Sequence, residues 1–177
     1  MFNVLQHTIT GWPGGKPNTD DSHRPERANP AQKRVILFSP HPDDDVISMG
    51  GTFAKLIKQG HDVHVVYQTS GNIAVTDDEA LKFAEVCNDF IEGDKSGINF
   101  QSVIDSINSK TIGQSDTLEV RKLKGLIRRR ESYAATRYIG LKDENTHFLD
   151  MPFYETGMVQ KKPLGPEDIA LVKDIIE

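Results

Sequence analysis

From Arg34 onward the hydrophobic positions follow two periods. Arg34-Val35-Ile36-Leu37-Phe38 is an unbroken apolar run rich in β-branched and aromatic residues, and it predicts a buried strand over Lys33 to Ser39. Val46 to Gln59 places apolar residues at helical spacing and stops at Gly60, a C-cap residue. His61 to Tyr67 reads as a second strand. Thr76 then caps a helix running to Ile91, with Glu79 completing a capping box. Phe100 to Ile112 has weaker helical periodicity through Val103, Ile104 and Ile107. Ser115 to Gly140 predicts the longest helix, with Leu118, Leu123, Leu126, Ile127, Tyr133, Ala134, Tyr138 and Ile139 as its apolar stripe. His147 to Met151 is a third strand ended by Pro152. Pro166 to Ile176 is a last helix, with Ile169, Val172 and Ile176 on one face. Strands alternating with helices specify an α/β fold with a mostly parallel sheet, and a Rossmann-like three-layer arrangement is expected.

The first 32 residues do not share this patterning. Gly11-Trp12-Pro13-Gly14-Gly15-Lys16-Pro17-Asn18 breaks any regular element, and Thr19 to Asn29 is polar and charged, so residues 1–32 read as a linker or arm. Residues 33–177 form the domain. His7, His23, Arg24 and Arg27 in the arm are expected to be solvated, whereas Trp12 can dock on a neighbouring domain. Such a polar arm accounts for an apolar fraction of only 37% in 177 residues. A net charge of −5 argues against a general nucleic-acid or anionic-membrane binder. No apolar run approaches a membrane span and the N-terminus lacks a signal-peptide pattern. A single cysteine, Cys87, excludes an intramolecular disulfide framework and suits a reducing cytoplasm. It falls among Phe83, Val86, Phe90 and Ile91, where a core role is expected.

The chemistry concentrates between the first strand and the first helix, in Ser39-Pro40-His41-Pro42-Asp43-Asp44-Asp45. That is the carboxyl edge of the sheet, where open α/β folds bind ligands. An imidazole and hard carboxylate oxygens together suit a mixed nitrogen/oxygen metal site, with zinc foremost. Pro40 and Pro42 fix φ on both sides of His41 and stiffen the loop. Three crowded carboxylates repel one another, and a cation relieves the repulsion. Helix capping is the competing account, because aspartates at a helix start bind free amides and complement the macrodipole. Gly50 and Gly51, in the first turns of the helix, read either as close backbone approach to the motif loop or a substrate, or as close helix-to-strand packing.

Pro40-His41-Pro42-Asp43-Asp44-Asp45 with Gly50-Gly51-Thr52 resembles the signature of the PIG-L/LmbE-like zinc N-deacetylases, which act on N-acetylglucosamine-containing substrates. The resemblance runs from Lys33 to Glu177. It implies that His41 and Asp44 are zinc ligands and that Asp43 is the general base acting on a water at the metal. Asp45 stands where the family usually has Glu, and a supporting role behind the ligands follows for it. The family's third protein ligand is a histidine after a further strand, expected here beyond Glu177, so the fold and the zinc site are expected to be C-terminally truncated. Arg130-Glu131 with Ala134-Ala135 and Ile139-Gly140-Leu141 resembles a helix of the family that begins Arg-x-x-Glu. Residues 1–32 look like the junction of bacterial proteins that fuse a glucosamine-6-phosphate deaminase-like domain to a PIG-L-like one.

Further candidates flank this centre. Gln68-Thr69-Ser70-Gly71-Asn72 follows the second strand at the same sheet edge. Thr69, Ser70 and Asn72 are expected to bond sugar hydroxyls, against the alternative of a turn that caps the next element. Arg130 is a candidate for a substrate phosphate or hydroxyl, against a solvated basic face. His61 and His64 lack i, i+2 spacing and an obvious carboxylate partner. His147, at the start of its strand, reads as core or surface. Glu92 to Ser115 is long and polar enough for a lid or interface element. The expected activity is removal of an acetyl group from an N-acetylglucosamine-type amino sugar in the cytoplasm, with zinc as cofactor. A non-catalytic sugar- or sugar-phosphate-binding module attached to a deaminase domain is the alternative, and a phosphate-binding Rossmann domain is a third. A truncated sheet edge favours homo-oligomers.

Overall fold

The computed structural model describes residues 31–91, 100–156 and 160–177. The expected arm, with His7, Trp12, His23, Arg24 and Arg27, therefore lies outside the described residues, as do residues 92–99 of the expected lid or interface element. Among the described residues are β1 (Arg34–Ser39), α1 (Asp44–Lys58), β2 (Asp62–Tyr67), α2 (Asp77–Ile91), α3 (Gln101–Asn108), α4 (Leu118–Tyr138), β3 (Thr146–Phe148) and α5 (Pro166–Ile176). The strands form one open parallel sheet in the order β1-β2-β3, with β1 and β2 registered from Arg34 opposite Asp62 to Ser39 opposite Tyr67. Three parallel strands and five helices are consistent with the expected Rossmann-like α/β fold.

Two compact units divide the chain. One takes residues up to Tyr67 together with Ser132–His147, and the other takes Gln68–Glu131 and Phe148–Glu177. In the first, Val63, Val65 and Tyr67 alternate along β2 and are buried, with Leu37 of β1 and Phe53 of α1 also removed from solvent. The end of α1 is a Schellman motif. Gly60 has φ 75°, its N–H donates to the Ile57 carbonyl at 2.9 Å, and the His61 N–H donates to Leu56 at 3.2 Å. Gly60 is thus the terminator that the sequence proposed.

In the second unit the core is Val75, Ala80, Ala84, Val103, Ile104, Ile107, Val120 and Ile127. The Glu79 N–H donates to Thr76 Oγ1 at 3.2 Å, so Thr76 caps α2 as expected. Lys124 of α4 is also buried there, and it bridges Asp77 and Asp116. Lys110 makes the same two contacts, which joins the start of α2, the end of α3 and the start of α4.

The helix faces correct the sequence reading. The face of α2 carrying Phe83, Val86 and Phe90 is exposed, and Cys87 is only half-buried, because the small residues Ala80 and Ala84 face inward. On α4, Leu118, Leu126 and Tyr138 are exposed while Val120, Lys124 and Ile127 are buried. The paired Lys124 takes an inward position that a count of apolar residues assigns elsewhere. On α5, Ile169 and Ile176 are exposed, and the buried residue is Asp168, whose two oxygens accept from the Phe153 N–H at 3.0 Å and the Gly165 N–H at 2.7 Å.

Candidate metal centre at the end of the first strand

α1 begins at Asp44, two residues before the sequence pattern places it, so Asp44 and Asp45 sit in its first turn. The three aspartates have three different surroundings. Asp43 is the N-cap residue but makes no side-chain capping hydrogen bond, so the capping account does not explain it. Its backbone sits at φ 155°, ψ −26°, a region that costs a residue with a Cβ about 1–3 kcal/mol.

Asp44 turns back over the loop. Its Oδ2 accepts from the His41 N–H at 3.0 Å and lies 3.1 Å from His41 Nδ1. Two ligands of one tetrahedral zinc, bound at about 2.0–2.2 Å, stand about 3.3 Å apart. The pair therefore fits a shared metal ion, and both side chains are open to solvent, His41 at 47% and Asp44 at 36%. No group of three or more His, Cys, Asp or Glu side chains able to hold a metal occurs among the described residues.

Asp45 is buried beneath the loop. Its Oδ2 accepts from the Tyr67 hydroxyl at 2.8 Å, and its own N–H donates to Ser39 Oγ at 3.0 Å. Ser39 Oγ in turn donates to the His41 carbonyl at 2.7 Å. A second hydroxyl, on Ser132 of α4, bonds to the Tyr67 oxygen. Desolvation raises the Asp45 pKa, and the bonds from Tyr67, the local amides and Ser39 offset only part of that rise. Desolvation likewise holds the Tyr67 hydroxyl protonated, and the neighbouring Asp45 charge reinforces the effect. Asp45 thus couples the ends of β1 and β2 to the backbone of His41. Tyr67 and Ser132 escaped the sequence reading. The signal for Tyr67 was a hydroxyl at the end of a buried strand, opposite Ser39 in register, whereas Ser132, inside α4, carried none.

Among the described residues, Gly50 and Gly51 do not pack closely against the motif loop or the strands. A Cβ on Gly51 meets nothing within 4 Å, and one on Gly50 meets only Val46 of its own helix at 3.7 Å, so among the described residues neither glycine serves close packing.

Thr69, Ser70 and Asn72 belong to the second unit. Thr69 and Asn72 are buried. Glu155 holds this loop with both oxygens, accepting from the Ser70 N–H at 3.0 Å and from Asn72 Nδ2 at 2.9 Å. Arg121 Nη1 donates to the Glu155 carbonyl at 3.1 Å. A Cβ added at Gly125 of α4 would stand 3.4 Å from Ser70 Cβ, an ordinary contact distance. The turn is therefore braced by a carboxylate that the sequence reading did not single out. Arg130 is exposed on α4, and its neighbour Arg129 is the arginine that pairs with Asp150 and stacks 4.6 Å over the Phe148 ring.

A family model for the GlcNAc-PI de-N-acetylases, PIG-L, matches residues 36–175, which is most of the chain and includes the whole motif. The chain belongs to the PIG-L family. Among curated relatives, a putative glucosamine-6-phosphate deaminase-like protein of Bacteroides thetaiotaomicron is 49% identical over 182 aligned residues, covering 99% of this chain and 28% of its own length. A diacetylchitobiose deacetylase of Thermococcus kodakarensis is 45% identical over 47 residues, 27% of this chain and 18% of that protein. A 1D-myo-inositol 2-acetamido-2-deoxy-alpha-D-glucopyranoside deacetylase of Rhodococcus opacus is 42% identical over 41 residues, 23% of this chain and 14% of that protein. This PIG-L chain thus spans less than a third of the length of these relatives. No solved structure matches it. No helix among the described residues is long and apolar enough to cross a membrane.

Proposed function

We propose that this chain carries the metal-binding motif of a zinc-dependent deacetylase that acts on N-acetylated amino sugars. The observation that carries the proposal is the convergence of His41 Nδ1 and Asp44 Oδ2 at 3.1 Å, within a sequence matched by the PIG-L family model. Relatives named as deacetylases of acetamido sugars support the reaction class. His41 and Asp44 would hold the ion, together with a histidine beyond Glu177. When bound, zinc would acidify a water and polarise the acetyl carbonyl. Asp43, adjacent to the ligand pair, takes up the water proton on its carboxylate and returns one to the departing amine nitrogen. Asp45 and Ser39 keep the His41 backbone in place throughout. The braced turn holding Thr69, Ser70 and Asn72, with Arg130, is proposed to bind the sugar. The domain is proposed to span residues 33–177 after a linker, and the family match beginning at residue 36 supports this.

The length and name of the Bacteroides relative favour a second element of the proposal, that the domain belongs to a longer protein with a deaminase-like portion. The test is zinc content and acetate release from N-acetylglucosamine substrates, in this chain and in one extended past Glu177. In the extended protein His41→Ala should abolish zinc, and Asp43→Asn should retain zinc while lowering acetate release by about 10²–10⁴-fold. An extended, folded protein that binds no zinc would overturn the hydrolase reading and leave a sugar-binding module in its place.

A further inference from the structure

The turn after β2 holds a buried amide with one polar atom left over. Asn72 is 4% exposed, and its Nδ2 donates to Glu155 Oε2 at 2.9 Å. Glu155 Oε1 accepts from the Ser70 N–H at 3.0 Å, and the Arg121 guanidinium holds the Glu155 carbonyl. All four residues lie in the second unit. The Asn72 N–H donates to Ser70 Oγ at 3.3 Å, and the Asn72 backbone carbonyl accepts from the Val75 N–H at 3.2 Å. Only Asn72 Oδ1 has no partner among the described residues, yet it is not sealed from solvent. An ionised carboxylate can only accept hydrogen bonds, so the Asn72 amide meets Glu155 through Nδ2. That contact fixes which way the amide faces and leaves its carbonyl oxygen open to a ligand. A largely buried acceptor is costly to leave unpaired, and a water or a ligand donor relieves the cost.

We propose that Asn72 Oδ1 accepts from one neutral hydroxyl of the amino sugar and that Glu155 is the positioning residue that presents this oxygen, an assignment that rests on the sugar-binding role proposed for this turn. It gives the subsite a polarity. A hydroxyl donates to Oδ1. A phosphate or carboxylate group instead brings acceptor oxygens and negative charge toward Oδ1 and the Glu155 carboxylate. The subsite therefore selects a neutral hydroxyl over an anionic substituent at that position of the sugar.

The test is an NMR titration of the protein extended past Glu177 with N-acetylglucosamine and with its forms carrying fluorine in place of one hydroxyl. Fluorine cannot donate. One fluorinated form should bind about 5- to 100-fold more weakly than the parent sugar, the cost of facing an acceptor that stays unpaired. Asn72→Ala should erase that penalty. Glu155→Gln separates positioning from bracing. Its Oε1 keeps the Ser70 N–H, so its Nε2 meets Asn72, whose amide must turn to accept with Oδ1 and present Nδ2 instead. The turn keeps its hydrogen bonds, but the fluorine penalty should fall to about twofold or less, because a donor now faces the fluorine. Adding Asn72→Asp to Glu155→Gln restores an acceptor on both sides, and the penalty should return. No sugar affinity, no fluorine penalty, or a penalty that survives Asn72→Ala or Glu155→Gln would overturn the assignment. Acetate release alongside such an indifferent penalty would sink the assignment alone, whereas an Asn72-dependent penalty without acetate release would sink only the deacetylase reading.

Discussion

Tyr67→Phe probes the support beneath the motif with one oxygen atom. Tyr67 is 1% exposed and Asp45 2%, so water cannot replace the lost bond without opening the structure. A hydrogen bond to a charged group contributes about 1.5–3 kcal/mol, and the Ser132 hydroxyl loses its acceptor for about another 0.5–1.5 kcal/mol. The less polar phenyl ring offsets part of this, so a net loss of about 2–3 kcal/mol is expected. That corresponds to roughly a 30- to 150-fold shift toward the unfolded state, out of a total stability of about 5–15 kcal/mol. With a urea m-value of about 2 kcal/mol per molar, the midpoint should fall by about 1–1.5 M, followed by circular dichroism. A double-mutant cycle with Asp45→Asn should return a coupling of about 1–2 kcal/mol, since the two groups touch. A midpoint shift under about 0.3 M, or strictly additive effects, would refute the idea that this bond holds the ends of β1 and β2 together.

Three further outcomes follow from the geometry. Lys124→Met leaves Asp77 and Asp116 with Lys110 alone, and should cost about 3 kcal/mol, the low end for a broken buried pair because Asp77 is 38% exposed. Burial raises the Asp116 pKa, but the two lysines outweigh it and lower the value overall, so this stabilisation is complete above about pH 4 and fades as pH falls through the lowered pKa. The gap between the parent chain and Lys124→Met in urea should therefore narrow at pH 3, and a gap independent of pH would count against the network. Because Asp43 sits at φ 155°, Asp43→Gly should be more stable than Asp43→Ala by about 1 kcal/mol, and equal thermal midpoints would show that the backbone there is unstrained. Gly125→Ala should gain up to about 1 kcal/mol of helix propensity, since its Cβ would meet Ser70 at an ordinary contact distance; a loss in urea stability would show that the turn cannot accept the methyl group.

Local rules settled much of this protein. The apolar run of β1, the Gly60 stop and the Thr76 cap depend on residues a few positions apart, so the sequence alone placed those elements. The His-Pro-Asp-Asp spacing likewise set the motif at a strand end, because its geometry is fixed by two prolines and a helix start. Helix faces were another matter. A periodic stripe marks an apolar side but not which side meets a neighbour, and only packing showed that α2 buries Ala80 and Ala84 while Phe90 faces outward. Tertiary structure also decided every long-range polar pairing. Tyr67 reaches Asp45 across 22 residues, Glu155 braces Ser70 across 85, and His64 meets His147 across 83. Each needs two chain segments brought to within 3.0 Å or less by the burial of other residues, and sequence spacing carries no record of that approach.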